Sequence, residues 1–112
     1  DALPIYKEIN KIFPAETRTA VVDFITAEEV LELGFNYIYV AARGTNSNLL
    51  QISITYYPQP GYALISEEYP MNAKGNGVDC LFPIRGGCSI IRVYNPSGED
   101  ITTNIYIAGC NL

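Results

Sequence analysis

At 112 residues with a net charge of −5, the chain is long enough for one two-layer core and too acidic for nucleic acid, which rewards clustered Lys and Arg. Charged residues make up only 17% and apolar residues 48%, so much of the surface falls to tyrosine, of which there are nine, and to Asn, Ser and Thr, a balance suited to extracellular life and protein contacts. No apolar run approaches the roughly 18 residues of a membrane-spanning helix, and no cofactor motif is present.

Asp1 reads as an N-terminus left by signal-peptide removal, which fits a secreted or extracellular location. Residues 1–14 read as an amphipathic arm, set apart from a sandwich domain over 15–112. In the arm, Ile5, Ile9, Ile12 and Phe13 recur at i, i+4, i+7 and i+8, the stripe of a helix over 4–13. Pro4 suits its first turn and Pro14 stops it. So short a helix cannot stand alone in water. Its stripe, Ile5, Ile9, Ile12 and Phe13, is therefore the candidate assembly interface, docking on its own domain or on a neighbouring chain.

From residue 17 the period changes to two. Residues 17–26 read as a strand with Ala20, Val22 and Phe24 on one face. Thr26-Ala27-Glu28-Glu29 fits a capping box and reads as a turn, followed by a short strand to Leu33. Residues 35–42 are aromatic and β-branched with apolar residues on both faces, which predicts a central strand. Residues 43–48 read as a loop. Residues 49–57 alternate, with Leu50, Ile52 and Ile54 inward and Gln51, Ser53 and Thr55 outward. Then come a turn at Pro58-Gln59-Pro60-Gly61, a strand over 62–69, a loop over 70–77 and a strand over 78–84. Strands over 88–94 and 101–109 close the chain, joined by a connector rich in turn formers.

Seven or eight short strands predict a mainly β, single-domain antiparallel sandwich or jelly roll. The stretch from Arg92 to Ile107 is similar to the hairpin near the end of many sandwich domains, carbohydrate-binding modules and capsid-like folds among them. The similarity covers one hairpin and carries no functional residue over.

The absence of histidine removes the commonest general base, the Ser-His-Asp and Cys-His nucleophile systems and the commonest zinc ligand. Glu67 and Glu68 are neighbours on a strand, so they point to opposite faces and cannot share one glycosidic bond. Asn95, Glu99 and Asp100 fall in one turn, but their positions do not alternate as calcium-loop ligands do. The chain reads as a non-enzyme without metal or cofactor. Cys80, Cys88 and Cys110 allow one disulfide in any of three pairings plus a free thiol, or an intermolecular bond.

Tyrosine is the most suggestive feature, because its rigid apolar body and polar tip suit half-wet surfaces. Tyr37 and Tyr39 share one strand face, and Tyr57 and Tyr62 flank the Pro-Gln-Pro-Gly turn. Tyr57 and Tyr62, with Arg43 and Asn46 from the 43–48 loop, are the candidate ligand-binding residues. Two functions follow. The first is an extracellular structural subunit that self-assembles, as in a filament, pilus-like fibre or virion surface, through the arm and the Tyr-rich surface. The second is a secreted recognition module (lectin-like, effector or toxin) that binds a glycan or a host protein.

Overall fold

The computed structural model describes residues 6–26, 34–57, 65–67, 71–83 and 88–111. Within them run nine strands: β1 (Tyr6–Phe13), β2 (Thr17–Thr26), β3 (Tyr37–Arg43), β4 (Gln51–Tyr57), β5 (Ile65–Glu67), β6 (Met71–Lys74), β7 (Gly77–Pro83), β8 (Cys88–Asn95) and β9 (Ile101–Cys110). They form two antiparallel sheets, ordered β1-β9-β3-β7-β6 and β2-β8-β4-β5. Four pairs are nested along the chain: β1 with β9, β2 with β8, β3 with β7, and β4 with β5. That is one long antiparallel ribbon. It is rolled up by two further pairings, β3 with β9 and β4 with β8. A rolled ribbon of this order is a jelly roll, with β6 added at one edge.

The core follows from the alternation in the sequence. Leu50, Ile52, Ile54 and Tyr56 point inward from β4 and its approach, facing Ile38, Val40, Val78, Phe82, Ile105 and Ile107 of the other sheet. The Tyr56 hydroxyl donates to the Pro83 carbonyl at 2.7 Å, so the one phenol in this layer is satisfied across the sandwich. Among the described residues, no buried side-chain nitrogen or oxygen lacks a partner. Gly109 lies buried beneath Phe35; a Cβ there would sit 2.7 Å from the ring, which only glycine avoids.

Three expectations are corrected. Tyr6–Phe13 is a strand, not a helix. Its eight residues all take partners on β9, whereas a helix of that length is marginal. The misleading signal is the spacing i, i+4, i+8, which fits a period of two as well as one of 3.6. Ile9 and Phe13 do share a face, with Phe13 fully buried, but Ile12, the residue that distinguishes the periods, is 58% exposed on the other. Inward-facing Lys11 sits at the sandwich edge and donates to the Ala20 carbonyl of β2. Ile5 lies outside the described residues.

The loop expected over 70–77 contains β6. Lys74 pairs with Gly77, so Gly75-Asn76 is a two-residue hairpin turn, with Gly75 at φ 60°. In β2, irregularities interrupt the register: Ala20 lies opposite Arg92 but Val22 opposite Ile91. The side chains of Val22 and Phe24, expected to share a face with Ala20, lie outside the described residues. Finally, β3 is central but only one of its faces is in the core. Tyr39 is half-buried and Arg43 exposed on the other. The strand expected near Leu33 lies outside the described residues, as do the ends of the strand expected over 62–69.

Two hydrogen-bonded braces fix one end of the sandwich. Asn95, fully buried, donates through Nδ2 to the carbonyls of Phe13 and Glu99 and accepts at Oδ1 from the N–H and hydroxyl of Ser97. Asp100 accepts the Ala15 N–H at 2.9 Å. The side-chain oxygens of Asn95 and Asp100 in this turn thus hold backbone together. At the same end, buried Ser47 donates to the Thr103 hydroxyl at 2.6 Å, and Thr103 donates to the Arg43 carbonyl at 2.6 Å.

Candidate functional site

The outer face of the five-stranded sheet carries a groove of about 370 Å³ between β3, β7 and β6. Antiparallel partners present their side chains on the same face, so the register gives its layout. One row runs Glu8, Tyr106, Ala41, Asp79, Asn72 across the strands. The neighbouring row holds Asn104 opposite Arg43 and Gly77 opposite Lys74; a Cβ on Gly77 would lie 4.0 Å from Arg43 Cγ. Tyr39 lies two residues from Ala41 on the same strand face. The floor is thus small, Ala41 and Gly77, while Tyr39, Arg43, Asn72, Lys74, Asn76 and Asp79 make a polar wall. Small residues ringed by large ones are what turn a sheet face into a depression.

The wall is ordered by its own contacts. The Tyr39 hydroxyl donates to Asp79 Oδ2 at 2.9 Å. Burial, then the Asp79 carboxylate that accepts its proton, push the Tyr39 phenol above its ordinary value, with the Arg43 guanidinium opposing. Arg43 lies over the Tyr106 ring, 5.7 Å from its centroid. The Tyr106 phenol is raised chiefly by its hydrogen bond to the Glu8 carboxylate. The Arg43 backbone is clamped by Thr103, and the chain then turns at Gly44, whose φ of 141° suits glycine. Rigid backbone, fixed phenol and carboxylate, and exposed cations make a preorganised polar surface.

The residues singled out from sequence scatter. Arg43 lines the groove. Asn46 lies three residues on, exposed and in the left-handed region at φ 65°, where its carbonyl accepts the Leu49 N–H. Tyr57 is half-buried at the far end of β4, on the other sheet. Six strand steps separate it from Gln51, roughly 20 Å, so it does not converge with Arg43. Tyr62 lies outside the described residues. Of the assembly stripe, Phe13 is in this chain's own core, Ile9 is half-buried and Ile12 is exposed.

Neither Cys80 nor Cys110 is in a disulfide. Each of the three possible intramolecular pairings needs at least one of them, so the expected disulfide is not formed. Burial pushes the Cys80 thiol up to about 11 and raises that of Cys110, which keeps both protonated and slow to react.

Asp79, Asn72, Lys74 and Asn76 were not singled out from sequence. The available signals were the Tyr39-Ala41-Arg43 parity on β3 and the Gly75-Asn76 hairpin turn, which together put them beside Tyr39. Among the described residues, no group of three or more Cys, Asp or Glu side chains converges as a metal site, and no helix is long and apolar enough to cross a membrane. Comparison with protein-family models, curated proteins and solved structures gives no match.

Proposed function

We propose that this domain is a non-enzymatic extracellular recognition module that binds a saccharide in the groove on the outer face of the five-stranded sheet. The observation that carries the reading is the Tyr39–Asp79 hydrogen bond beside a floor of Ala41 and Gly77. Saccharides present hydroxyl groups that donate and accept at once, and ring faces that pack on aromatic carbon. Planar carboxylate, amide and guanidinium groups answer the hydroxyls, and Tyr39 supplies an aromatic body. A peptide partner would need large apolar anchors in pockets, and this floor offers only small ones. The volume lies at the small end for ligand sites, in keeping with one or two sugar rings. Jelly rolls include lectin domains, an analogy that raises the prior without carrying the case.

A saccharide array followed by calorimetry tests the reading. Wild type binds at least one saccharide; Asp79→Ala weakens it by about tenfold or more, since a charge-assisted hydrogen bond is lost. Gln51→Ala, an exposed change on the other sheet, leaves it unaltered. Absence of saccharide binding by the folded wild type, or equal binding by Asp79→Ala, overturns the reading.

A second reading, self-association as a structural subunit, is favoured by β1. This edge strand exposes Ile12 at 58%, and among the described residues no strand pairs with its outer side. Because Phe13 is buried in its own core, edge-to-edge pairing fits better than exchange of the arm. Light scattering decides it: an oligomer that Ile12→Lys dissolves supports the reading, and a monomer at all concentrations refutes it.

A further inference from the structure

We infer that the saccharide read by this groove is an acidic one, a sugar ring carrying a carboxylate, with that carboxylate held over Gly77 between Arg43 and Lys74. The inference rests on the saccharide reading above and narrows it.

The chain has seven basic residues against twelve acidic ones, yet two of the seven, Arg43 and Lys74, line this groove, against one carboxylate, Asp79. Their placement is specific. Lys74 pairs with Gly77 on one side, and Arg43 Cγ lies against Gly77 on the other. The two cations therefore stand on strands either side of a residue without a side chain, about 9–10 Å apart at the backbone. Both side chains are exposed, and both residues line the groove beside Gly77. A planar carboxylate matches a guanidinium fork bidentately, and an ammonium on the opposite side completes the clamp as a point charge.

Asp79 and Asn72 belong to the next row on the same face, two residues along their strands, on the order of 7 Å away. The Asp79 carboxylate accepts the Tyr39 hydroxyl and can accept further donors, so that row suits sugar hydroxyls. It also repels an anion, so an acidic ring can enter in one sense only, carboxylate over Gly77 and hydroxyls over Asp79 and Asn72. Orientation is thus set by attraction in one row and repulsion in the next. The Arg43 backbone carbonyl is clamped by Thr103; its guanidinium rests over Tyr106 on the β9 side and would have to turn towards Gly77 to take the carboxylate.

Calorimetry with matched probes tests this: a galacturonic acid trisaccharide beside its carboxyl-reduced galactose counterpart, and sialyllactose beside lactose. The inference expects wild type to prefer the acidic member of at least one pair by about tenfold, with the preference shrinking as salt rises. Which pair shows it distinguishes a uronic acid from a sialic acid. Arg43→Gln and Lys74→Gln, with folding checked by circular dichroism, each bring the acid-to-neutral ratio towards one. Arg18→Gln, on the other sheet, keeps it. Equal wild-type affinity for acidic and neutral members overturns the inference and leaves the saccharide reading standing. Failure to bind any of the four, when another saccharide on the array binds, overturns the inference alone; failure to bind any saccharide removes both.

Discussion

The two outer faces of the sandwich hold the same pair in different settings. On the four-stranded sheet, Arg18 lies over the Tyr94 ring at 5.6 Å; on the five-stranded sheet, Arg43 lies over Tyr106 at 5.7 Å. Around Tyr94 the neighbours fill the surface. Arg92 extends from the next row to the Thr55 hydroxyl at 3.2 Å, and Thr55 and Ile90, opposite one another on this outer face, are both buried. Around Tyr106 and Tyr39 the neighbours are Ala41 and Gly77, and the polar groups rise from a depression. An Arg–Tyr pair is thus not a site in itself. A site forms where small residues beside the pair leave room for a ligand and the backbone carrying the Arg is fixed.

The clamp on Arg43 gives the largest expected effect. Thr103→Val keeps the shape but strands the buried Ser47 hydroxyl and the part-buried Arg43 carbonyl, and so lowers stability by about 1–3 kcal/mol. Thr55→Val on the other face removes one partly buried acceptor and costs less than about 1 kcal/mol. Urea denaturation of the pair checks this; equal losses would show that Arg43 is not specially held.

Alkaline pH should act next. The fold holds the Cys80 thiol protonated up to about 11 against an ordinary value of 9.0. A group raised on folding leaves stability intact below its unfolded value and removes it as pH climbs towards the folded one. Stability should therefore hold to about pH 9 and fall by roughly 2 kcal/mol towards pH 11. Tyr39, also raised, adds to the loss above its ordinary value of 10.0. Cys80→Ala should flatten the first part of that fall and Tyr39→Phe the second. A profile unchanged by either variant would contradict the assigned causes.

The smallest effect belongs to the exposed pair on the other face. Arg18→Ala should change stability by no more than about 0.5–1 kcal/mol, the scale of a surface cation–π contact. Thermal unfolding measures it, and a loss of several kcal/mol would mean that the two Arg–Tyr pairs are not the surface features described.

What was legible in the sequence divides along the same physical lines. Strands with clean alternation, β4 above all, were readable because Leu50, Ile52 and Ile54 have one core to face. β1 misled because Ile9 and Phe13, four residues apart, satisfy both periods, and only its pairing with β9 decides. β6 went unseen because Met71-Asn72-Ala73-Lys74 alternates weakly, so that 70–77 reads as a loop. Arg43 is a ligand-binding candidate in the sequence, but its companions there are Asn46, Tyr57 and Tyr62, since proximity in sequence cannot report that β7 and β6 lie beside β3. Asp79 drew no attention because a single acidic residue between Val78 and Cys80 gains meaning only opposite Ala41 and beside Tyr39.

The claim that the outer face of the five-stranded sheet is the recognition surface is tested most directly by following backbone amide signals during titration with the galacturonic acid trisaccharide. The account predicts shifts concentrated at Tyr39, Arg43, Asn72 and Asp79, with Gln51, Ser53, Arg92 and Tyr94 still. Shifts concentrated on that second set, with the first unmoved, would contradict it.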